Sequence, residues 1–194
     1  VLGFARRFES DMRLKVDESS KYFFDNMEVY FCYVYEKEKP FDGDPRSILR
    51  DTIEKLKDKY GMEALVAGEL EFYVLKNGNK IDNASYFDIP PRDKSNILKT
   101  KILEKLEESK IEWETVHHEV GPGQNEVDIK FNSPLIAADQ IVFVKNLIKQ
   151  VAESLEMEIT FMPKPFFGLP GKIIKICFLM RKKNISSQTL EDFS

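Results

Sequence analysis

The sequence predicts an α+β protein, on three observations. Between residues 112 and 131, polar and apolar residues alternate on both sides of Gly121-Pro122-Gly123, which reads as two strands joined by a turn. Apolar residues recur at helical spacing after Asp44-Pro45 and again after Ser133-Pro134. A further strand pattern runs over 64–75 and carries two carboxylates on one face. A chain of 194 residues predicts one or two domains with a sizeable core.

In order, residues 1–40 are β-rich, and Met27-Glu28-Val29-Tyr30-Phe31-Cys32-Tyr33-Val34-Tyr35 has the aromatic and β-branched character of a strand. Asp44-Pro45 opens a helix, because Asp caps well and Pro is tolerated at the first helical position. Ile48, Leu49, Ile53, Leu56 and Tyr60 form its apolar stripe, and Gly61 is its stop. In the strand over 64–75, Glu69 and Glu71 share a face and Leu70 and Phe72 the other. Asn77-Gly78 marks a tight turn. A helix over 92–110 follows Pro90-Pro91, and a third runs from Ser133-Pro134 to about residue 154. Residues 158–162 read as a short strand, and Pro163-Lys164-Pro165 as an extended exit.

Composition removes several functions. The chain is 42% hydrophobic and 32% charged, ordinary for a soluble globular protein. Its net charge of -4 offers no basic footprint, and no basic and aromatic stripe is present, so nucleic acid is not an expected partner. No apolar run approaches the roughly 20 residues that span a bilayer, so no membrane is expected. Charges begin at Arg6, which does not suit a signal peptide. Cys32 and Cys177 are too few for a disulfide framework. A cytoplasmic location is expected.

The chemistry concentrates between Glu114 and Glu126, where three carboxylates, two histidines and a glycine turn fall within thirteen residues. A hairpin return would bring Glu119 back toward Glu126. Carboxylates held together need a cation or a proton between them, and oxygen-rich sites suit Mg²⁺ or Mn²⁺ better than zinc. Plainer readings stand beside this one. Glu69 and Glu71 also fit a solvated strand face, Glu114 an exposed strand carboxylate, and Tyr86 and Phe131 ordinary packing.

His117-His118-Glu119-Val120-Gly121-Pro122-Gly123-Gln124-Asn125-Glu126 resembles the metal-site loop of glutamine synthetases of the prokaryotic type. Gly68-Glu69-Leu70-Glu71-Phe72, Phe41-Asp42-Gly43-Asp44-Pro45-Arg46 and Phe161-Met162-Pro163-Lys164-Pro165-Phe166-Phe167-Gly168 fit the same family in order and spacing. So does the stretch from Gly3 to Met12. The resemblance covers about residues 1–171. It implies a remnant of an N-terminal β-grasp domain and linker over 1–40, and the N-terminal half of a catalytic domain, an antiparallel sheet with flanking helices, over 41–171. An off-family tail follows over 172–194.

The resemblance implies ATP-dependent ligation of ammonia to L-glutamate through γ-glutamyl phosphate, for nitrogen assimilation, in a homo-oligomer of stacked rings with shared active sites. Glu71, Glu119 and Glu126 would hold one Mg²⁺ or Mn²⁺, and Glu69 would belong to a second. Glu119 and Tyr86 would line the ammonium side as catalytic residues. Glu114 and Phe131 would lie toward ATP. His117 and His118 would be structural or would support the metal ligands from behind, because the family's ligating histidine lies further on. After Gly171 the family has a His-x-His pair, whereas this chain reads Lys172-Ile173-Ile174-Lys175-Ile176-Cys177. Two accounts fit the tail: a genuine replacement forming a strand over 173–180, or a shifted reading frame or internal deletion. The abrupt break favours the second. The chain is thus expected to be a member truncated at both ends and inactive alone. A glutamate–polyamine or other amine ligase is the alternative within the class, and a non-catalytic metal- or subunit-binding remnant the alternative outside it.

Overall fold

The computed structural model describes residues 12–171 and 174–182. The stretch before Met12 and the tail beyond 182 lie outside the described residues. Among the described residues, two antiparallel sheets carry three helices. In the small sheet, β1 (Arg13–Phe24) pairs with β2 (Met27–Glu36), which pairs with β3 (Lys39–Pro40). The larger sheet is built around β4 (Met62–Lys76), with the short β5 (Asn79–Lys80) at its end. One edge of β4 pairs with β7 (Gln124–Asn132), whose other edge takes β6 (Trp113–His118). The opposite edge takes β9 (Ile174–Lys182) and then β8 (Glu158–Thr160).

The expected α1 appears as Pro45–Tyr60. Asp44 accepts hydrogen bonds from the amides of Arg46 and Ser47, from the Ser47 hydroxyl and from the Val34 amide. Burial alone would raise its pKa, yet these donors hold it below the usual carboxylate value. Gly61 closes the helix in the left-handed region at φ 60°, a conformation that costs glycine no Cβ clash. Because Asp44 also ties the helix start to β2, Asp44→Ala is expected to lose about 1–2 kcal/mol of stability in urea melts.

Helix α2 (Asn96–Glu108) starts later than the pattern predicts. Asp93 accepts from the amide and hydroxyl of Ser95 and from Lys99, and Asp82 accepts from the Lys94 amide. These side chains offer the amides of residues 94 and 95 an alternative to helical bonding. Helix α3 (Pro134–Ser154) runs as expected. Leu98, Ile102 and Leu106 of α2 and Val144, Leu147 and Ile148 of α3 bury against Leu70, Phe72 and Val74 of β4 and Val127 and Ile129 of β7. Alternation along β4 then forces Glu69, Glu71 and Tyr73 onto the opposite face.

The small sheet is tied to this body at several points. Tyr22 stacks on Phe143 at 4.9 Å, and the Ser109 hydroxyl donates to the Phe23 carbonyl at 2.6 Å. Arg46 grips Asp139 through two nitrogens and reaches Asp17 at 2.8 Å.

The less favoured account of the tail places a strand over 173–180, and a strand is found there as β9, whose nine residues pair in unbroken register from Leu70↔Ile174 to Met62↔Lys182. Its helix-side residues Ile176, Phe178 and Met180 are exposed. Among the described residues, no helix is long and apolar enough to cross a membrane.

Candidate functional site

The face of the large sheet that turns away from the helices is lined with carboxylates. Register decides which side chains meet there. Glu71 lies opposite Glu126, which lies opposite His117. One step along, Glu69 lies between Asp128 of β7 and Lys175 of β9. Four carboxylates therefore share a patch of two adjacent strands, β4 and β7, as the two-residue spacing of Glu69 and Glu71 anticipates.

Each is held differently. Glu71 is buried, and its Oε2 accepts from the Gln124 side-chain amide at 3.0 Å. That amide also donates to the Gly171 carbonyl at 3.3 Å, and the Tyr73 hydroxyl donates to the Pro170 carbonyl at 2.7 Å, so the glycine-rich exit loop is laid against the site. Glu126 is 5% exposed, and its Oε2 is buried with no hydrogen-bond donor. Burial first, then the charges of Asp128, Glu119 and Glu71, push its pKa well above the carboxylate range, against the pull of Lys175. Asp128 accepts from the Thr115 hydroxyl at 2.5 Å, while its other oxygen is buried without a donor. Glu69 is the outlier. Its Oε2 accepts from the Lys175 ammonium at 2.7 Å and its Oε1 from the Cys177 thiol at 3.4 Å, and the Lys175 bond above all lowers its pKa.

Glu119 sits where the hairpin turns. Its Oε2 accepts from the amide of Val120 at 2.8 Å, and its charge is felt at Glu126. The turn is fixed from beneath. The Glu119 amide donates to the Gln124 carbonyl at 2.8 Å, and the Gly121 amide donates to the Gln124 side chain at 3.0 Å. A Cβ on Gly121 would lie 2.6 Å from the Tyr73 hydroxyl oxygen and 2.7 Å from Gln124 Oε1, so any side chain there would have to displace one of them.

Sequence reading identifies His118 as structural, and its surroundings agree. Its Nε2 faces Asp82 Oδ1 at 3.1 Å and its Nδ1 faces the Glu119 carbonyl at 2.7 Å. Both ring nitrogens thus meet acceptors, a setting that favours the doubly protonated ring. Burial opposes that charge, but the Asp82 and Glu119 bonds raise the His118 pKa overall. Asp82 also accepts from the amides of Ala84, Lys94 and Gly123. Burial would raise its pKa, yet His118 and these amides bring it down to about 2. Asp82, Asp93 and His118 cluster closely enough to suggest a metal, but hydrogen bonds and the Lys99 ammonium already satisfy them. His117 is different, with Nε2 3.5 Å from Glu126 and its ring stacked on Phe87 at 4.5 Å.

The remaining candidates lie around the rim. Tyr86 is exposed and meets His117 edge-on at 5.5 Å. Glu114 and Phe131 are exposed on β6 and β7. Sequence reasoning missed Asp128, Gln124, Asp82 and Lys175. Asp128, two residues after Glu126 on an alternating strand, carried a usable signal. Lys175, distant in the chain, carried none.

The donor set can be tested against a divalent ion. Glu71 and Glu126 suit one, because a buried carboxylate oxygen there lacks a donor and Glu119 adds negative charge nearby. Glu69 suits one less well, because the Lys175 ammonium is hydrogen-bonded to it at 2.7 Å and neutralises its charge.

Comparison with known proteins agrees with this architecture. A family model described as "Glutamine synthetase, catalytic domain" matches residues 42–186. The chain is 39% identical over 182 residues to a glutamine synthetase of Methanococcus voltae, covering 88% of this chain and 41% of that protein. It is 40% identical over 185 residues to one of Methanocaldococcus jannaschii, with the same coverage. The chain thus spans about two-fifths of the length of these curated relatives. Among solved structures, ligand-free GmaS superposes with a TM-score of 0.86 at 22% identity, over 93% of this chain and 45% of that one. Plasmodium falciparum glutamine synthetase gives 0.83 at 25%, over 95% and 44%.

Proposed function

Because the chain belongs to the glutamine synthetase family, we propose that it serves the ATP-dependent ligation of ammonia to L-glutamate in nitrogen assimilation, and that Glu71 and Glu126, with Glu119, hold Mg²⁺ or Mn²⁺ for that reaction. The observation that carries this reading is the buried pairing of Glu71 with Glu126, where an oxygen of Glu126 has no hydrogen-bond donor. A divalent ion bound there would neutralise phosphate oxygens during phosphoryl transfer. The chain's own residues supply the rest of the reading. Gln124 orients Glu71, and the turn at Gly121 holds Glu119 where its charge reaches Glu126. Tyr86 and Glu119 form the side on which ammonium would be held and deprotonated. Glu114 and Phe131 face outward on the strands toward which ATP would lie.

The family's ring assembly would give the exposed Ile176, Phe178 and Met180 a partner surface, since contiguous apolar patches are usually covered. A cytoplasmic enzyme fits the composition.

Phosphoryl transfer also needs fixed cations on the transferring group. Each described arginine is engaged elsewhere: Arg13 with Glu38, Arg46 with Asp17 and Asp139, Arg50 with Asp51, Arg92 with Asp88 and Arg181 with Glu63. Interactions that act as a unit lose nearly all rate when some are missing. The purified chain is therefore expected to bind Mn²⁺ but to form no glutamine above background with ATP, glutamate and ammonia. Calorimetry and a coupled ADP assay read the two outcomes. Absence of Mn²⁺ binding would remove the metal reading, and steady glutamine formation would show that the chain's own residues suffice.

A further inference from the structure

We propose that Lys175 is a tethered cation that occupies the Glu69 side of the carboxylate patch, so that this chain accepts a divalent ion at Glu71 and Glu126 but not a second one at Glu69. The proposal rests on the metal reading given above and concerns how many ions the patch takes.

Three observations carry it. The Lys175 ammonium lies 2.7 Å from Glu69, 3.4 Å from Glu71 and 3.6 Å from Glu126, so a single positive charge sits among three carboxylates. Its place is set by the β4–β9 ladder, in which Glu69 is directly opposite Lys175 and both side chains leave the same face. Each Glu69 oxygen already has a donor, because Cys177, two residues along the same strand as Lys175, donates to the other oxygen at 3.4 Å.

A protonated lysine has three donors and no lone pair, so it can neutralise this patch but cannot ligate a metal. A divalent ion at Glu69 would have to displace the ammonium or sit against it, and like charges at such range repel strongly outside bulk water. The Glu126 side is different. The Lys175 ammonium is too distant there to donate a hydrogen bond, and the Glu126 oxygen remains without a donor. The lysine side chain is half-exposed, so its ammonium has solvent to move into if a metal outcompetes it.

The test is a Mn²⁺ titration of the full chain by calorimetry, with free Mn²⁺ counted by electron paramagnetic resonance. The unaltered chain and the variants Lys175→Ala, Lys175→Gln and Lys175→Arg are compared. The unaltered chain and Lys175→Arg are expected to bind one ion. Lys175→Ala and Lys175→Gln are expected to bind two, or to bind the first at least tenfold more tightly. Their thermal midpoints should drop without metal and rise with Mn²⁺ by more than the unaltered chain's does. Equal stoichiometry and affinity in all four forms would overturn the proposal. So would neutral variants that stay unfolded with Mn²⁺ present, because Lys175 would then serve only the strand. Two ions on the unaltered chain would overturn the tether alone, leaving the metal reading intact. No Mn²⁺ on any form would overturn the metal reading itself, and the tether with it.

Discussion

Replacing Asp82 by alanine is expected to cost about 3–5 kcal/mol, the loss typical when one member of a buried ion pair is removed. Asp82 is 5% exposed and accepts from His118 and from the amides of Ala84, Lys94 and Gly123. Without it, the buried His118 ring and three amides lose their acceptor, and the loop that carries Glu119 loses its anchor. The pH dependence has a definite sign. The folded-state pKa of Asp82 is depressed to about 2, so its contribution is present above the unfolded value and lost as pH falls toward 2. A depression of this size contributes about 2–3 kcal/mol at neutral pH. His118 is raised, so its contribution is present below its unfolded value and fades as pH rises through the folded one. Urea melts across pH should therefore show losses on the acid side from Asp82 and on the alkaline side from His118. Asp82→Asn should flatten the acid side. A variant with an unchanged acid limb would show that Asp82 is not the group responsible.

Glu126→Gln is expected to act in opposite directions on stability and on metal. Glu126 is buried among Asp128, Glu119 and Glu71, and its carboxyl titrates well above the usual range. Above that raised pKa its charge weakens the fold, so stability should fall as pH rises through the folded value. Glutamine keeps the shape and removes the charge. The metal-free variant should gain roughly 1–3 kcal/mol at pH values above the raised Glu126 pKa, the scale on which an unsatisfied buried group penalises a fold. Its Mn²⁺ affinity should fall by at least about 100-fold, because even outer-shell changes cost 10–100-fold. Thermal melts with and without Mn²⁺ read both effects. A variant that is less stable without metal would place Glu126 in a structural role.

Much of this was legible in the sequence because the signals are local. Asp44, Pro45 and Gly61 mark the ends of α1 through their own backbone preferences. The i, i+2 spacing of Glu69 and Glu71 places them on one face of any strand. The alternation around Gly121-Pro122-Gly123 forms the β6–β7 hairpin that sets His117 against Glu126. The start of α2 was less legible, because Asp93 and Asp82 bind the backbone of residues 94 and 95 in competition with helical bonds.

By itself, then, the sequence determined the elements, the family and the face on which carboxylates gather. Tertiary structure decided how that face is neutralised. Glu69 and Lys175 are separated by 106 residues, and their meeting depends on the register of β9 against β4. A slip of one residue would turn Lys175 toward the helices and leave Glu69 without its cation, because strand side chains alternate with a period of two. The nine-residue ladder sets that register through backbone pairing along an entire strand edge, which no local pattern around either residue contains.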